Sequence, residues 1–427
     1  MTRTPPRKAR ARAHLRERSA PVFSPADAAA LGRGRKRAGT PSRVLVGGRV
    51  LRASQGELVL ADAVDTVQVT LARRAPTHIE PGDLVVVAGR LGRSGVEGAR
   101  LIEHHPGSVP AAVSEFGRLA LAGVGRNLVA RAAALRTVRR YFDGQGFLEV
   151  ETPVRVPSPG LDAYVDAVRA DGGFLITSPE LHMKRLVVGG LPRVYQLART
   201  TRAGETGALH EPEFTMLEWY RAFSGMAEVV RDTEQLVAAV VGELRGELRV
   251  PLAAGHVVDV TPPFERLTVR DAFREYAGVR DAADLARADE GRYFELLVER
   301  VEPGLALLPR AALLHEFPIT QAALARPCPH DPEVAERFEL YVGGVELCNG
   351  FGELTDPAEQ RRRFEAEYER RRRSGAPLHP IDERFLAALE EGLPPSGGNA
   401  LGFDRLVALS LGKAHVADVM AFPKERL

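Results

Sequence analysis

Cysteine is scarce in this chain of 427 residues, and the scarcity excludes two kinds of architecture. Only Cys328 and Cys348 are present, which rules out both a disulfide scaffold and a cysteine-ligated zinc site. Long apolar runs are also missing: none approaches the roughly 20 residues that cross a bilayer, and the arginine-rich start lacks the apolar stretch of a signal peptide. We therefore expect a cytoplasmic protein with no membrane partner.

The composition is that of a folded protein, but its charge is unevenly distributed. Apolar residues make up 44% and charged residues 27% of the chain, enough for at least one sizeable core and, at this length, for two domains. The first 40 residues hold eleven Lys or Arg against two Asp or Glu, which leaves 47 against 54 for the remainder. We interpret residues 1–41 as a basic flexible arm, with a short helix around Pro25 to Leu31. Such an arm either binds nucleic acid or an acidic protein by charge, or is only a solvated tail.

Short β-branched runs between residues 42 and 105 predict a small barrel of the OB type. The five predicted strands are Arg43 to Leu51, Glu57 to Leu60, Thr66 to Leu71, Leu84 to Leu91 and Ala99 to His104. This segment contains no Phe, Tyr or Trp, although aromatic rings are the usual stacking platforms of barrels that bind nucleic acid. A structural or docking role is therefore favoured over RNA recognition. Residues 106–116 are predicted to be a linker.

From residue 117 to residue 427 helical and strand patterns alternate, which predicts an α+β domain. Apolar residues at helical spacing from Asn127 to Asp143 predict a helix, which Gly144 and Gly146 end and which a strand from Phe147 follows. The sequence contains no Walker loop and no internal repeat. Any nucleotide must therefore be held by other means.

A long antiparallel hairpin is predicted from Pro192 to Tyr220, with Ala203 to Glu211 as its loop. The period of two along the second strand places four side chains on one face: Phe214, Met216, Glu218 and Tyr220. An aromatic ring, a carboxylate and a phenol on one face suit the floor of a polar pocket. An amphipathic strand over an apolar core gives a similar pattern.

A second hairpin is predicted around Gly343-Gly344, a two-residue turn that pairs Tyr341 with Glu346. Glu339 lies two residues before Tyr341, so Glu339 and Glu346 point the same way. Two convergent carboxylates repel unless a cation lies between them, and hard oxygen ligands facing a phosphate suit Mg²⁺. Two solvated carboxylates on an exposed sheet face are the alternative.

Beyond Glu346, strict alternation sends Asn349, Phe351 and Glu353 to the opposite face of the strand. Gly350 and Gly352 would permit a bulge that brings these side chains back.

A third stretch, Pro394 to Arg405, is rich in glycine and leads into a helical pattern that begins around Leu406. Arg405 would lie in the first turn of that helix, where free N–H groups and the helix dipole favour anions. A glycine-rich entry to a buried helix also occurs for packing alone.

These three stretches, in this order, resemble the three motifs of class II aminoacyl-tRNA synthetases, and the resemblance is closest to the lysine branch. Three segments of this chain resemble the lysine-site signatures of that branch. They are Ser178-Pro-Glu-Leu-His-Met-Lys-Arg-Leu186, His210-Glu-Pro-Glu-Phe-Thr-Met-Leu-Glu-Trp-Tyr220 and Glu346-Leu-Cys-Asn-Gly-Phe-Gly-Glu-Leu354. The resemblance spans about Gly117 to Leu427. It implies a catalytic domain with an antiparallel sheet flanked by helices, and a homodimer that forms through Asn127 to Thr152.

Within that branch, the domain resembles compact paralogues of lysyl-tRNA synthetase that ligate (R)-β-lysine to a lysine of elongation factor P. The segments that resemble these paralogues are Pro212 to Tyr220, His379 to Asp382 and Ala400 to Arg405. The tRNA enzymes usually have glycine where Ala400 stands, and a methyl group there suits a β-amine. The compact ligases generally lack an N-terminal barrel, and the barrel here resembles a shortened anticodon domain.

The resemblance implies ATP and Mg²⁺ as cofactors and assigns each residue a role. The expected catalytic residues are Arg202, Arg405 and Glu346, and the expected Mg²⁺ ligands are Glu339 and Glu346. Contacts to ATP are implied for Arg202, Ala203, Gly204, Glu205, His210, Glu211, Phe214, Glu346, Leu347, Gly402 and Arg405. Contacts to lysine or (R)-β-lysine are implied for Ser178, Pro179, Glu180, Glu218, Tyr220, Asn349, Phe351, Glu353 and Ala400.

The sequence departs from the family pattern in the loop after Arg202. The family has Asn-Glu there, whereas Ala203 and Gly204 precede Glu205 in this chain, and the usual His-Asn is His210-Glu211. The carboxylate that accepts a hydrogen bond from the adenine amino group is therefore missing from position 204. We expect Glu205 or Glu211 to replace it.

Three functions fit these observations. The first is a protein-lysine ligase that acts on elongation factor P, and the second is a lysyl-tRNA synthetase with a reduced anticodon-binding domain. The third is a non-catalytic, synthetase-like regulator or RNA-binding module, against which the presence of Arg202, Glu346, Glu353 and Arg405 argues. We favour the first, with elongation factor P as partner and tRNA as the less favoured acceptor.

Overall fold

The structure, a computed structural model, describes residues 21–33, 43–73, 78–160, 164–252 and 255–427. The chain divides into two compact units, Met1–Val129 and Ala130–Leu427. Most of the predicted basic arm, residues 1–20 and 34–41, lies outside the described residues. Among the residues that are described, no helix combines the length and the apolar character needed to cross a membrane.

The first unit contains the predicted small barrel. Its strands are β1 (Val22–Phe23), β2 (Arg43–Ala53), β3 (Glu57–Ala61), β4 (Thr66–Leu71), β5 (Leu84–Leu91) and β6 (Gly95–His105). The sheet runs β1-β2-β3-β4-β6-β5, and a further pairing of β2 with β5 closes five of these strands into a ring. Alternate side chains such as Val44, Val46 and Val69 fill the interior, which is the pattern that an OB-like barrel requires.

A segment predicted as part of the flexible arm is packed against this barrel. Strand β1 pairs in parallel with β2, and helix α1 (Pro25–Arg33) buries Ala28 in the barrel core. The Ala26 N–H donates a 2.8 Å hydrogen bond to Asp62. The short helix expected around Pro25 to Leu31 is thus present as α1, but it packs on the barrel instead of belonging to a flexible arm, because small apolar side chains allow a short helix to lie close to a sheet. The arginine-rich flanks conceal that apolar stripe in the composition.

The second unit is built on a nine-stranded sheet in the order β15-β16-β18-β19-β20-β12-β11-β7, with β17 paired to β18. Neighbouring strands run antiparallel except at the two ends, where β15 joins β16 and β7 joins β11 in parallel. Smaller sheets are formed by β8, β10 and β9 and by β13 with β14. The strands of this unit are β7 (Leu148–Glu149), β8 (Arg155–Val156), β9 (Arg169–Ala170), β10 (Gly173–Leu175), β11 (Arg193–Thr201), β12 (Glu213–Ala222), β13 (Arg249–Pro251), β14 (Val257–Asp259), β15 (Glu265–Thr268), β16 (Ala312–Pro318), β17 (Pro327–Cys328), β18 (Asp331–Val342), β19 (Val345–Gly352) and β20 (Ser396–Gly402).

Helices flank this sheet, as expected for an α+β domain. After α1 they are α2 (Val124–Gly144), α3 (Glu180–Val188), α4 (Met226–Arg245), α5 (Val269–Ala277), α6 (Ala282–Ala288), α7 (Glu290–Leu296), α8 (Glu302–Ala306), α9 (Pro357–Ser374), α10 (Glu383–Gly392) and α11 (Phe403–Ser410). Short π-helical turns span Gly117–Leu121 and Leu297–Val301, and 3₁₀ turns span Ile319–Gln321, Val416–Val419 and Lys424–Arg426. The helix expected from Asn127 to Asp143 is thus confirmed as α2.

The main core lies between this sheet and helices that cover it. Helix α4 begins where the Glu228 carboxylate accepts the Gly225 N–H at 2.9 Å, and it ends at Gly246, whose φ of 75° suits glycine. Its valine stripe is buried with Trp219. This packing fixes the strand β12, and thereby the side chains that the strand presents on its other face.

Candidate active site

The hairpin predicted from Pro192 to Tyr220 is confirmed. Strands β11 and β12 pair antiparallel from Arg193↔Arg221 to Thr201↔Glu213, and Arg202 follows β11 directly, its N–H donating to the Pro212 carbonyl at 2.9 Å. The Arg202 guanidinium lies 5.4 Å from the centroid of the Phe214 ring. The short loop between the strands therefore holds a permanent positive charge beside an aromatic face.

The second hairpin is also confirmed, but its bulge lies elsewhere than expected. Tyr341 pairs with Glu346 as predicted, whereas the register then shifts so that Leu340 pairs with Cys348 and Glu339 with Asn349. Leu347 is the extra residue, and an extra residue reverses the alternation of all side chains after it. The prediction of a bulge at Gly350 or Gly352 was therefore wrong in position.

This bulge aligns functional side chains across four neighbouring strands. One row runs Glu339, Asn349, Ala400 and Glu218, and the next runs Arg337, Phe351, Gly398 and Tyr220. Directly paired residues in a sheet project from the same face. The three sequence motifs thus contribute to one continuous surface.

A cavity of about 390 Å³ opens over that surface. Predicted site residues that line it are Ser178, Glu180, Arg202, Glu205, His210, Glu211, Phe214, Glu346, Leu347, Asn349, Phe351, Ala400, Gly402 and Arg405. Five others, Pro179, Glu218, Tyr220, Glu339 and Glu353, adjoin these residues without lining the cavity, and Ala203 and Gly204 lie in the loop after Arg202. Side chains from three distant segments therefore meet around one space.

Cationic groups gather at one end of the cavity. Arg405, in the first turn of α11, donates to the Glu346 carbonyl at 2.9 Å and lies 2.6 Å from the His210 ring nitrogen. Burial and the neighbouring Arg405 charge lower the pKa of His210, so its ring is neutral and accepts this bond. Arg202 lines the same cavity and its charge also acts on His210, and its buried Nε has no hydrogen-bond partner among the described residues. An unsatisfied buried donor of this kind is suited to an anionic ligand.

Carboxylates lie beside this cationic end. Glu339 accepts hydrogen bonds from the Tyr341 hydroxyl at 2.7 Å and from Arg337 at 2.5 Å. Burial raises the pKa of Glu339, and the charge of Glu346 adds to the increase against the opposing effect of Arg337. Glu302, which the sequence did not reveal, has its pKa raised to about 7 by burial and by the charges of Glu339 and Glu346. Within the described part of the chain, no three His, Cys, Asp or Glu side chains form a group able to hold a metal by themselves.

The opposite end of the cavity adjoins a buried acidic pocket. Glu218 is 1% exposed and accepts hydrogen bonds from Ser178 at 2.9 Å and from the Tyr220 hydroxyl at 2.5 Å. Burial, with the charge of Glu180, raises the pKa of Glu218 to about 8. Glu353 is fully buried, and burial raises its pKa to about 7, with the cation of Lys184 opposing that increase.

Close backbone approach makes this pocket possible. A methyl group on Gly398 would lie 2.3 Å from the Tyr220 ring and 2.6 Å from Glu353 Oε1, so only glycine fits. Glu353 Oε1 has no hydrogen-bond donor among the described residues. The pocket therefore contains a buried acceptor that is ready for a ligand.

Besides Glu302, sequence reasoning missed Lys184 and Arg371. Lys184 lies between Glu180 and Glu353, with its Nζ 2.6 Å and 2.5 Å from their carboxylates. Its four-residue spacing from Glu180 is a signal that could have found it. Arg371 is 1% exposed and binds Asp166, whose carbonyl accepts the Ala203 N–H at 2.8 Å; the arginine run around it gave no hint of burial.

Comparison with known proteins agrees with this geometry. The family described as class II tRNA synthetases (D, K and N) matches residues 117–426. A protein of Proteus mirabilis named elongation factor P–(R)-beta-lysine ligase is 41% identical over 314 residues, which cover 70% of this chain and 95% of that protein. Proteins of the same name are 41% identical in Edwardsiella ictaluri and 42% identical in Erwinia tasmaniensis, each over 70% of this chain and 95% of the relative. The chain belongs to the family of class II tRNA synthetases (D, K and N).

Proposed function

We propose that this protein uses ATP to activate (R)-β-lysine or lysine as an aminoacyl-adenylate and transfers the aminoacyl group to a lysine of elongation factor P. The observation that carries the proposal is the placement of Arg202, Arg405 and Glu346 around one cavity that adjoins a buried acidic pocket. The relatives named for this reaction match the chain over nearly their whole length, which supports the same choice of acceptor.

Arg202 and Arg405 are the proposed phosphate-binding residues. The planar guanidinium of Arg202 suits both the α-phosphate and the substrate carboxylate, and its free Nε is available for such an oxygen. Arg405, whose fork already spans His210 and Glu346, would contact the γ-phosphate. Phe214 and Arg405 would enclose the adenine, and Leu347 and Gly402 line its surroundings.

Glu339 and Glu346 fit a role as Mg²⁺ ligands. The raised pKa of Glu339 reflects burial near the Glu346 charge, and a divalent cation would relieve that repulsion. Two carboxylates leave several coordination positions for phosphate oxygens and water, which is the usual mode of Mg²⁺ binding with nucleotides. When bound, the ion would neutralise phosphate charge as the substrate carboxylate approaches.

The acidic pocket is the proposed amino-acid site. Glu353 and Tyr220 would bind the terminal ammonium, and Glu180 with Glu218 would bind the other amino group. Asn349 would position the carboxylate, while Ser178, Pro179, Phe351 and Ala400 shape the wall. Ala400 pairs with both Asn349 and Glu218, so its methyl group lies where it would discriminate between α- and β-amines.

The chemistry requires alignment and no nucleophilic side chain. A substrate carboxylate oxygen attacks the α-phosphorus and pyrophosphate leaves, after which the acceptor amine attacks the activated carbonyl and AMP leaves. Positioning and charge stabilisation supply the rate. Cys348 lies near this site but is buried, and burial raises the pKa of its thiol to about 12, so it takes no part as a thiolate.

Glu205 and Glu211 are the proposed replacements for the carboxylate missing at position 204. Both line the cavity. Glu205 lies 3.7 Å from Arg202, while Glu211 accepts the Lys424 N–H at 2.8 Å. The contact between Glu205 and Arg202 is long and therefore weak. Of the two carboxylates, Glu205 is thus the more available to accept a hydrogen bond from an adenine amino group.

The proposal extends to the domains of the chain and to its assembly. We place the barrel at residues 42–105, the linker at 106–116 and the catalytic domain at 117–427, with the barrel serving in docking. Homodimerisation is supported by β7, an edge strand of the large sheet whose Leu148 is 51% exposed. Unpaired edges and exposed apolar side chains are typical of surfaces that bind a second chain.

Pyrophosphate exchange tests the activation step. Purified protein is assayed with ATP, Mg²⁺ and separately (R)-β-lysine, lysine, ornithine or norleucine. Exchange should depend on a diammonium amino acid of lysine length and be absent with norleucine, because the pocket holds several buried carboxylates. Equal exchange with norleucine, or none with either lysine isomer, would contradict the proposal.

A further inference from the structure

Lys184 occupies an unusual position for a lysine in this chain. The sequence contains lysine at only five positions, 8, 36, 184, 413 and 424, out of 58 Lys and Arg together. Lys184 is nevertheless 1% exposed and belongs to the amino-acid pocket. Burying an ammonium group is costly unless opposite charges surround it, so a lysine retained here among so many arginines requires a specific explanation.

The surroundings of Lys184 are those expected for a bound amine. Its Nζ lies 2.6 Å from Glu180 and 2.5 Å from Glu353, and 5.8 Å from the centroid of the Tyr220 ring. These are the side chains proposed above to receive the two ammonium groups of the substrate. Part of the negative charge in the pocket is therefore already committed to a cation of the protein itself.

We propose that Lys184 is a positioning residue: when the three carboxylates of the amino-acid pocket are ionised around a bound substrate, Lys184 sets their net charge at two negative units, so that the pocket matches an amino acid with two ammonium groups. Three carboxylates, Glu180, Glu218 and Glu353, surround the site. One ammonium offsets one of them. The inference rests on the proposed function, since it concerns how the same site selects its substrate.

The pKa shifts of Lys184 and Glu353 agree with this charge balance. Burial alone would lower the pKa of Lys184, but the charges of Glu180 and Glu353 outweigh it and hold the pKa above its ordinary value. Lys184 also lowers the pKa of Glu353 against the effects of burial and of Glu180, with a smaller contribution from Arg326. The lysine therefore keeps Glu353 closer to its ionised form, which is the form that an ammonium group requires.

A lysine suits this place better than an arginine. The ammonium group is a compact point charge whose three donors can face two carboxylates at once, whereas a guanidinium is broad and planar. The four-residue spacing on α3 places Lys184 over Glu180. From there its ammonium group reaches Glu353, the residue that follows β19, so the lysine links α3 to β19 across the pocket.

A cycle of variants separates charge matching from mere structural support. Lys184→Met, Glu353→Gln and the double variant are compared with the wild type in the full chain. Lys413→Met serves as the control because Lys413 does not line the cavity. Kd for lysine and (R)-β-lysine is measured calorimetrically. By charge count, Glu353→Gln leaves one net negative charge, whereas the double variant restores two.

The double variant should therefore bind the diammonium amino acid at least about tenfold more tightly than Glu353→Gln, given the strength of one unit charge at close range. A purely structural role predicts the reverse, because a second buried change would weaken binding further. Double-variant binding no tighter than that of Glu353→Gln would overturn the inference. This comparison holds even where Lys184→Met alone fails to fold.

Proton release gives a second, independent measurement. At about pH 8, above the pKa of about 7 for Glu353, Lys184→Met should release more protons per bound lysine than the wild type, because without the Lys184 charge Glu353 holds its proton more strongly in the empty site. Titration in buffers of different ionisation enthalpy counts these protons. An unchanged count in folded Lys184→Met would contradict the proposed role. Failure of the wild type to bind either isomer would instead overturn the proposed function.

Discussion

Strand pairing determines the position of Arg202 but leaves part of its hydrogen-bonding capacity unused. It follows the last paired residue of β11 and is held by the Pro212 carbonyl, yet its Nε lacks a partner among the described residues. Arg202→Lys should lower kcat/KM for pyrophosphate exchange by about 100-fold or more, since a point charge cannot replace a planar fork at a developing phosphate charge.

The matched control for Arg202→Lys is Arg199→Lys on the same strand. Arg199 forms a 2.7 Å contact with Glu213 at the surface, away from the cavity, so its replacement should leave exchange within about twofold of wild type. Equal losses in both variants would indicate damage to the hairpin rather than a phosphate contact.

If Glu218 and Glu353 bind the ammonium groups as proposed, amino-acid affinity should depend on pH. Burial raises their pKa values to about 8 and about 7, so both are largely protonated in the empty site at low pH, whereas ammonium groups require carboxylates. Affinity for lysine should therefore fall as the pH is lowered from about 8 to about 6, with proton release on binding. The groups facing the two carboxylates are Glu180, Lys184, Tyr220, Ser178 and Arg326.

The same raised pKa values have the opposite effect on folding stability. The unfolded chain releases these protons near the ordinary glutamate pKa of 4.5, and the folded chain holds them to about 7 or 8. Between those values the folded state binds more protons, so the free energy of unfolding of the empty protein should fall as the pH rises. Chemical denaturation at a series of pH values between about 4.5 and about 8 measures the free energy of unfolding. Glu218→Gln, which has no carboxyl group to ionise at this position, should be more stable than the wild type at about pH 8.

The departure from the family pattern at position 204 gives a further prediction at the residue scale. Glu205→Ala should raise KM for ATP several-fold through the loss of the adenine contact, with little change in KM for the amino acid, whose proposed site is the acidic pocket around Glu218 and Glu353. Glu211→Ala tests the alternative carboxylate. An unchanged KM for ATP in both variants would show that neither replaces the missing group.

At the level of elements, strand pairing was predictable because turn chemistry and alternation determine it locally. The Gly343-Gly344 turn set the pairing of Tyr341 with Glu346, and both motif hairpins followed from the same rules. The bulge at Leu347 was placed wrongly because no glycine marks it. Strand β20 was not predicted either, since its glycines are rare in strands and are required there by close packing on Tyr220.

The edge strand β7 makes a prediction about assembly. Leu148 is 51% exposed on a strand that pairs only with β11 among the described strands. If this edge lies in a homodimer interface, Leu148→Arg should shift the protein toward monomer, because burying an unpaired charge opposes association. Light scattering of the wild type and the variant measures the mass, with Leu378→Arg, at another partly exposed leucine, as control. A wild-type monomer, or a dimer in both variants, would contradict this interface.

On the scale of the whole molecule, the sequence predicted the barrel and the synthetase-like domain because both carry long periodic patterns. It predicted the set of site residues through motif resemblance, and the structure places most of them around one cavity. It did not reveal Lys184 or Arg371, because whether a charged residue is buried depends on contacts between segments far apart in the chain. The packing of residues 22–33 on the barrel was hidden for the same reason.

Transfer of the activated amino acid is the most direct test of the whole account. Protein, ATP, Mg²⁺ and (R)-β-lysine are incubated with elongation factor P or with lysine tRNA, and each acceptor is analysed by intact mass and by acid-stable labelling. The account predicts that elongation factor P gains one β-lysyl group on a lysine side chain, while the tRNA stays uncharged at matched concentrations. Charging of the tRNA with no modification of elongation factor P would contradict it.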